Sequence, residues 1–266
     1  MMYQFYVERD SVLHSLDPRV KIIGMLAGIV SLMFFNDPKV LVPFFLLVLL
    51  SGKLLGKLGI GEQLRLLKPL MFIVVLTVIA WPIIYRPRLM GLVFGLSFSL
   101  RLLGFGLITF QLLMTTKQRE LILGFVKLGL PYELGLTLTI ALRYIPTLYI
   151  IAGTIMDAQK SRGLELDKGN FLERARKTVP ILIPLIVAAL KTAHELSIAL
   201  ESRAFGASRK RTFYRDIGMT GRDYVALGAV LVSFAVLVYL RFVLGIGHVV
   251  IYISLLEASP FTAGMR

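Results

Sequence analysis

Two arginines in this 266-residue chain sit in matching company. Arg162 follows Ala158 and Ser161 and precedes Gly163; Arg203 follows Ala199 and Ser202 and precedes Ala204, 41 positions further on. A guanidinium offers a planar fork of five donors that suits a carboxylate, and small neighbours let another surface approach the backbone. Taken once, the pattern is helix punctuation: a cation in the last turn complements the helix dipole, and glycine just beyond supplies a left-handed cap. Taken twice, each time at the end of an overlong apolar segment, it points to docking. Two such ends side by side would engage two similar partner subunits. Ser161, Arg162 and Gly163 would form one contact, and Ser202, Arg203 and Ala204 the other.

Other chemistry is thin. The three histidines are His14, His194 and His248, and "HELSI" lacks the second histidine of a zinc-binding H-E-x-x-H. "GKLLGKLG" is no P-loop, because its Gly-Lys lacks the glycine five positions earlier and the Ser/Thr after it. With no cysteine there is no disulfide framework, thiol nucleophile or thiolate metal site. The expectation is a chain with no catalytic, metal or cofactor site; if ATP is used, another polypeptide binds it. Arg101 falls midway along an apolar segment and Arg143 lies within "TIALRYIP". Charge at mid-membrane is costly and marks function by default. Both are nonetheless read as structural, Arg101 facing a bundle and bonding carbonyls, Arg143 lying at an interface.

The elements that must position these arginines are apolar. Hydrophobic residues make up 56% of the chain and charged ones 17%, with a mean hydropathy of +0.77. A soluble domain usually carries about 25% charge, so the chain reads as a membrane protein. Its net charge of +14 would suggest nucleic acid in a soluble protein. Here the basic residues lie beside and between apolar blocks, as in cytoplasmic loops, so no nucleic-acid partner is expected. Residues 1–19 lack a signal-peptide pattern, and the chain is expected to insert through its own spans.

Asp17–Pro18 and Asp37–Pro38 start two apolar helices, the aspartate capping and the proline fitting the first helical position. Residues 51–68, with Lys53, Lys57, Arg65 and Lys68 against Glu62 alone, read as a basic loop with an amphipathic turn. A third span covers 69–85, "RPR" at 86–88 turns the chain, and a fourth covers 89–114. Residues 117–130 form a short amphipathic helix. Two long helices follow, at about 132–162 and 171–205, each roughly 45–50 Å long and so longer than a ~30 Å hydrocarbon core. Asn170 with Glu173 caps the second, and small residues (Gly135, Ala141, Gly153, Ala188, Ala189, Ala193) permit close packing in both. A hydropathy count would make them spans; their polar ends equally suit a pair lying obliquely at the cytoplasmic face. After basic "SRKRTFYR", Thr220 and Asp223 cap a last span at about 223–244.

These residues match a family. "SLDPRVK", Thr115–Thr116, Leu130–Pro131, "ALRYIP", "AQKSRG" and "ESRAFG" together resemble the transmembrane T component (EcfT) of energy-coupling factor transporters. The resemblance runs from about residue 3 to 245. It departs in having serine before each arginine and Ala204 where glycine is common, which leaves the arginine role intact and puts the cap geometry in question. It implies an all-α membrane protein of about five transmembrane helices plus a cytoplasmic coupling region with two long crossing helices. Residues 1–116 would hold helices 1–4, 117–206 the coupling helices, 207–222 a basic linker, 223–247 the final span and 248–266 a tail. The implied function is the scaffold of an ATP-driven importer of vitamins or other micronutrients. Its arginine ends would dock two ATP-binding cassette ATPase subunits and its apolar lengths hold a membrane-embedded substrate-binding S component. ATP-Mg would belong to the ATPases, and the chain would sit in the bacterial cytoplasmic membrane with its N-terminus inside. A self-contained secondary transporter is the alternative; it calls for broken helices and midplane ionisable residues.

Overall fold

The computed structural model describes residues 6–86, 88–164, 170–207 and 218–245, which form nine helices and no strand. The chain divides into two compact units: Tyr3–Gly129 with Ile217–Arg266, and Leu130–Asp216 with the first two residues. The basic stretch at 208–215, most of the link at 164–170 and the tail at 248–266 lie outside the described residues.

The larger unit contains α1 (Val12–Ser15), α2 (Pro18–Phe34), α3 (Pro38–Leu54), α4 (Ile60–Ile84), α5 (Arg88–Thr115), α6 (Gln118–Lys127) and α9 (Gly221–Phe242). Asp17 and Asp37 accept from the amides of Arg19 and Lys39 at 2.8 and 2.9 Å, with proline at each first turn as expected. At α9, Asp223 Oδ2 accepts from the Thr220 amide at 2.7 Å in a capping box. Its other oxygen accepts from the Asp17 amide at 2.8 Å. The starts of α2 and α9 are thereby tied, and Phe34 meets Phe234 and Phe242 further along; the two helices run parallel. Lys21 Nζ donates to Thr115 O at 3.0 Å and His14 O at 3.3 Å, joining the end of α5 to the same corner. His14 makes contacts at Ser11 Oγ (2.6 Å) and Val7 O (2.9 Å). Burial, aided by the Lys21 charge, holds its imidazole below the ordinary histidine range despite the Val7 bond.

Two apolar clusters hold the helices. Leu32, Phe35 and Leu41 pack with Phe105, Ile108 and Leu237; Val48, Leu49, Leu67 and Leu107 form the other. Gln111 donates to Val48 O at 2.8 Å and Gln63 Oε1 at 2.9 Å beside the second cluster. The expected loop at 51–68 is mostly helix instead: α3 continues to Leu54 and α4 starts at Ile60. Glu62 accepts from the Gly59 amide at 3.1 Å, capping the start of α4, and pairs with Arg9 at 2.7 Å. Arg65 and Lys68 are exposed on the first turns of α4, so their charges need no loop.

The smaller unit is α7 (Tyr132–Ser161) against α8 (Phe171–Ser202), the latter started by the expected Asn170–Glu173 box. Five described helices are long and apolar enough to cross a membrane: α4, α5, α7, Arg176–Ser202 of α8, and α9. The chain is therefore an all-α membrane protein. Three of them, α4, α5 and α9, match expected spans, and the other two are the paired helices whose placement the sequence leaves open. Helices α2 and α3, with 17 residues each or about 26 Å, lie at the short end of the length a span needs.

A Cβ at Gly91 would lie 2.6 Å from Pro82 Cα and 2.7 Å from Trp81 O, backbone atoms that cannot swing aside. Gly91→Ala is expected to destabilise the α4–α5 hairpin by about 1–3 kcal/mol. Thermal unfolding of the detergent-solubilised protein checks this against Gly61→Ala, a helical site with open space, which should match or exceed the parent.

Candidate docking site at the ends of the paired helices

Both arginines occupy the same backbone position, the residue that closes a helix. Arg162 has φ −87° and ψ 9°; Arg203 has φ −94° and ψ 16°. The next residue turns left-handed in each, Gly163 at φ 88° and Ala204 at φ 55°. The amides of Gly163 and Leu164 then bond Lys160 O (2.9 Å) and Gln159 O (3.0 Å); those of Ala204 and Phe205 bond Glu201 O (2.9 Å) and Leu200 O (3.0 Å). These are two copies of the Schellman cap. The doubt raised by Ala204 is answered: the cap forms with alanine, at the steric cost that a Cβ meets in the left-handed region, roughly 1–2 kcal/mol.

Ser161 and Ser202 turn their hydroxyls back onto Asp157 O (3.1 Å) and Ala199 O (3.0 Å). All six expected site residues are exposed, and a Cβ at Gly163 would meet nothing within 4 Å. Each tip is thus a self-satisfied backbone cap with a guanidinium on its open side.

The two tips are not side by side. Near the end of α7, Gln159 Nε2 donates to Pro180 O at 3.3 Å in the early part of α8. At the start of α7, the Tyr132 ring stacks on Phe205 at 6.5 Å, just past the end of α8. The helices are therefore antiparallel, and Arg162 and Arg203 lie at opposite ends of the pair. The 27 residues between Tyr132 and Gln159 set their separation at about 40 Å at 1.5 Å per residue.

Gln159 was not singled out from sequence, although half of the signal was visible. In a helix Pro180 O would accept from the amide of residue 184, but Pro184 has none. Gln159 supplies the missing donor across the pair. The middle of the pair carries further charge: Arg143 on α7 and Lys191, His194 and Glu195 on α8 are all exposed. In the larger unit Arg101 behaves as expected, donating to Leu32 O (3.2 Å), Phe35 O (2.8 Å) and Asn36 Oδ1. Among the described residues no group of three or more His, Asp or Glu is placed to hold a metal.

Known proteins share this chain's sequence over most of its length. The family described as "CbiQ: Cobalt transport protein" matches residues 9–214, both arginine tips included. The energy-coupling factor transporter transmembrane protein EcfT of Acidaminococcus fermentans is 34% identical over 259 residues, covering 89% of this chain and 95% of that protein. The chain belongs to the EcfT family. EcfT of Bacillus subtilis is likewise 34% identical over 258 residues (89% and 96%), and EcfT of Streptococcus thermophilus 32% over 260 (89% and 97%). The protein is accordingly a transmembrane component of an energy-coupling factor transporter, and the paired helices belong to a transport subunit.

In this EcfT-family chain, Ala204→Gly removes a left-handed Cβ and is expected to tighten the α8 cap by about 1 kcal/mol. Gly163→Ala introduces the same Cβ and should loosen the α7 cap by a similar amount. Hydrogen exchange at the amides of residues 163–164 and 204–205 reads each end separately.

Proposed function

We propose that this chain is the coupling scaffold of an ATP-driven micronutrient importer, in which Arg162 and Arg203 each dock one ATPase subunit. The observation that carries this reading is the pair of matched caps at opposite ends of one antiparallel pair. Each cap satisfies its own backbone, so the arginine beside it is available to a partner's carboxylate, in the bidentate geometry that favours arginine at interfaces. A spacing of about 40 Å suits two separate protein subunits better than two sites on one small surface. Ser161, Gly163, Ser202 and Ala204 keep the approach close. ATP and magnesium belong to those subunits, and their movement reaches the substrate through the helices.

The same reading lays α7 and α8 along the inner membrane surface. Counting 11 residues from Tyr132 reaches Arg143, and 11 back from Phe205 reaches His194, so Arg143, Lys191, His194 and Glu195 share one level halfway along. Spanning would hold these exposed groups at the bilayer centre, at roughly 2.5–3.5 kcal/mol for each arginine or lysine on insertion scales. Exposed apolar residues on both helices, among them Leu138, Tyr149, Ile150, Ile183, Val187 and Leu190, exceed what a free surface leaves uncovered. They suit a membrane-embedded subunit that captures the substrate, in the bacterial cytoplasmic membrane with the N-terminus inside.

The double variant Arg162→Glu with Arg203→Glu is expected to abolish copurification of the ATPase subunits and uptake-coupled hydrolysis, with helical content unchanged by circular dichroism. Each single reversal should weaken assembly about 30-fold or more, the scale of a hot-spot loss near 2 kcal/mol. Undiminished assembly in the folded double variant would leave the arginines as caps alone.

A further inference from the structure

Segments distant in sequence converge on the end of α5. The Val7 amide donates to Met114 O at 3.1 Å, and Lys21 Nζ donates to Thr115 O at 3.0 Å and His14 O at 3.3 Å. Lys21 is buried, and so are Asp17, Asp223 and Thr116. Glu120 on α6, Asp17 on α2 and Asp223 on α9 all lie close enough to act on the lysine charge. Because the Asp17 amide donates to Asp223 Oδ1 at 2.8 Å, the start of α9 belongs to the same corner.

Helix α6 departs from this corner. Only Thr116 and Lys117 separate it from α5. Further along, Gly124 sits directly on α2: a Cβ there would lie 3.0 Å from Pro18 Cβ and 3.1 Å from Ile22 Cδ1. Pro18 and Ile22 are one turn apart, and Lys21 beside them reaches back to the bend. Residues 128–131 then lead from α6 into α7, the helix that Arg162 closes. An ammonium is costly to bury and persists only where carbonyls and carboxylates surround it. Packing alone would be served as well by an apolar side chain of the same length. What the ammonium adds is fixed geometry, since its donors hold the last carbonyl of α5 while its stem stays on α2.

We propose that Lys21 is a positioning residue through which the paired helices act on the larger unit: by pinning the α5–α6 bend to α2, it makes α6 a rigid lever. This rests on the coupling role argued above and adds the point at which movement enters the larger unit. Movement of α7 reaches α6 through residues 128–131. With the bend pinned, α6 carries α2 with it, and α9 follows through the Asp17–Asp223 bond. With the bend released, α6 swings about residues 116–117 and α2 stays still.

The chain has no cysteine. The Cβ positions of residues 18 and 124 are 3.0 Å apart, against roughly 3.5–4.5 Å in a disulfide. Pro18→Cys with Gly124→Cys therefore gives a link between α2 and α6 that can be made and broken. Hydrogen exchange is read on the full chain in complex with its ATPase subunits, with and without ATP-Mg, at residues 118–127 of α6 and 20–27 of α2. In the parent, ATP-Mg is expected to change exchange in both helices. Lys21→Met keeps the stem and removes the donors. Its ATPases should stay bound and its α6 response persist, while the α2 response falls about tenfold, the scale of one lost charge-assisted bond. Adding the oxidised cysteine pair to Lys21→Met should restore the α2 response, and reduction should remove it again, which a folding defect would not do. A parent-sized α2 response in Lys21→Met, or a formed disulfide that restores nothing, would overturn the proposal. If Lys21→Met does not fold, Gly124→Leu, which keeps the lysine and forces α6 off Pro18, carries the same expectation and the same refutation. Bound ATPases keep the two readings apart: reversing Arg162 and Arg203 should remove those subunits, and losing Lys21 should leave them in place.

Discussion

Carbonyl oxygens without a donor organise this molecule. Each helix end leaves several, every internal proline leaves one more, and hydrocarbon offers no water to fill them. The chain answers with a few long polar side chains. Arg101 fills the end of α2, Lys21 fills the end of α5 together with His14 O, and Gln159 fills the gap that Pro184 opens in α8. Apart from the Lys21 bond to His14 O, each joins segments distant in sequence, so satisfying the backbone and fixing the tertiary arrangement are one event. An unmet acceptor costs about 1–3 kcal/mol, enough to make each bond decisive for a neighbour's position.

The arginine tips follow the same logic from the other side. Their carbonyls are met by the cap itself, so the arginine side chains are not needed to close the helix ends. An uncapped helix end would compete for its own arginine. The φ and ψ at Arg162 and Arg203 agree within 7°, so the two tips share one backbone geometry although one is built with glycine and the other with alanine.

Local chemistry was legible in the sequence. The starts of α2, α3, α8 and α9 were read correctly from Asp17, Asp37, Asn170 and Thr220, because a cap is decided within four residues. The start of α4 was hidden by its basic residues, although Gly59 is an acceptable N-cap and Glu62 three residues on bonds its amide. The opposed placement of the tips could have been inferred, since a short link between long helices implies an antiparallel pair. The partnership of Gln159 with Pro180 O could not, because it depends on the register between two helices and no single-chain pattern encodes that. Arg101 stood out as a charge in an apolar run, but only the contacts reveal that it serves the end of another helix.

Pro180 and Pro184 stand four residues apart, and this spacing has a mechanical meaning. Proline at 184 frees the carbonyl of 180; proline at 180 frees the carbonyl of Arg176 in the same way. Two notches thus lie about 6 Å apart along the helix, and the Gln159 amide is a single tooth engaged in one of them. Small creep between the rods leaves the tooth over filled ground, so the pair resists gradual drift and favours whole clicks.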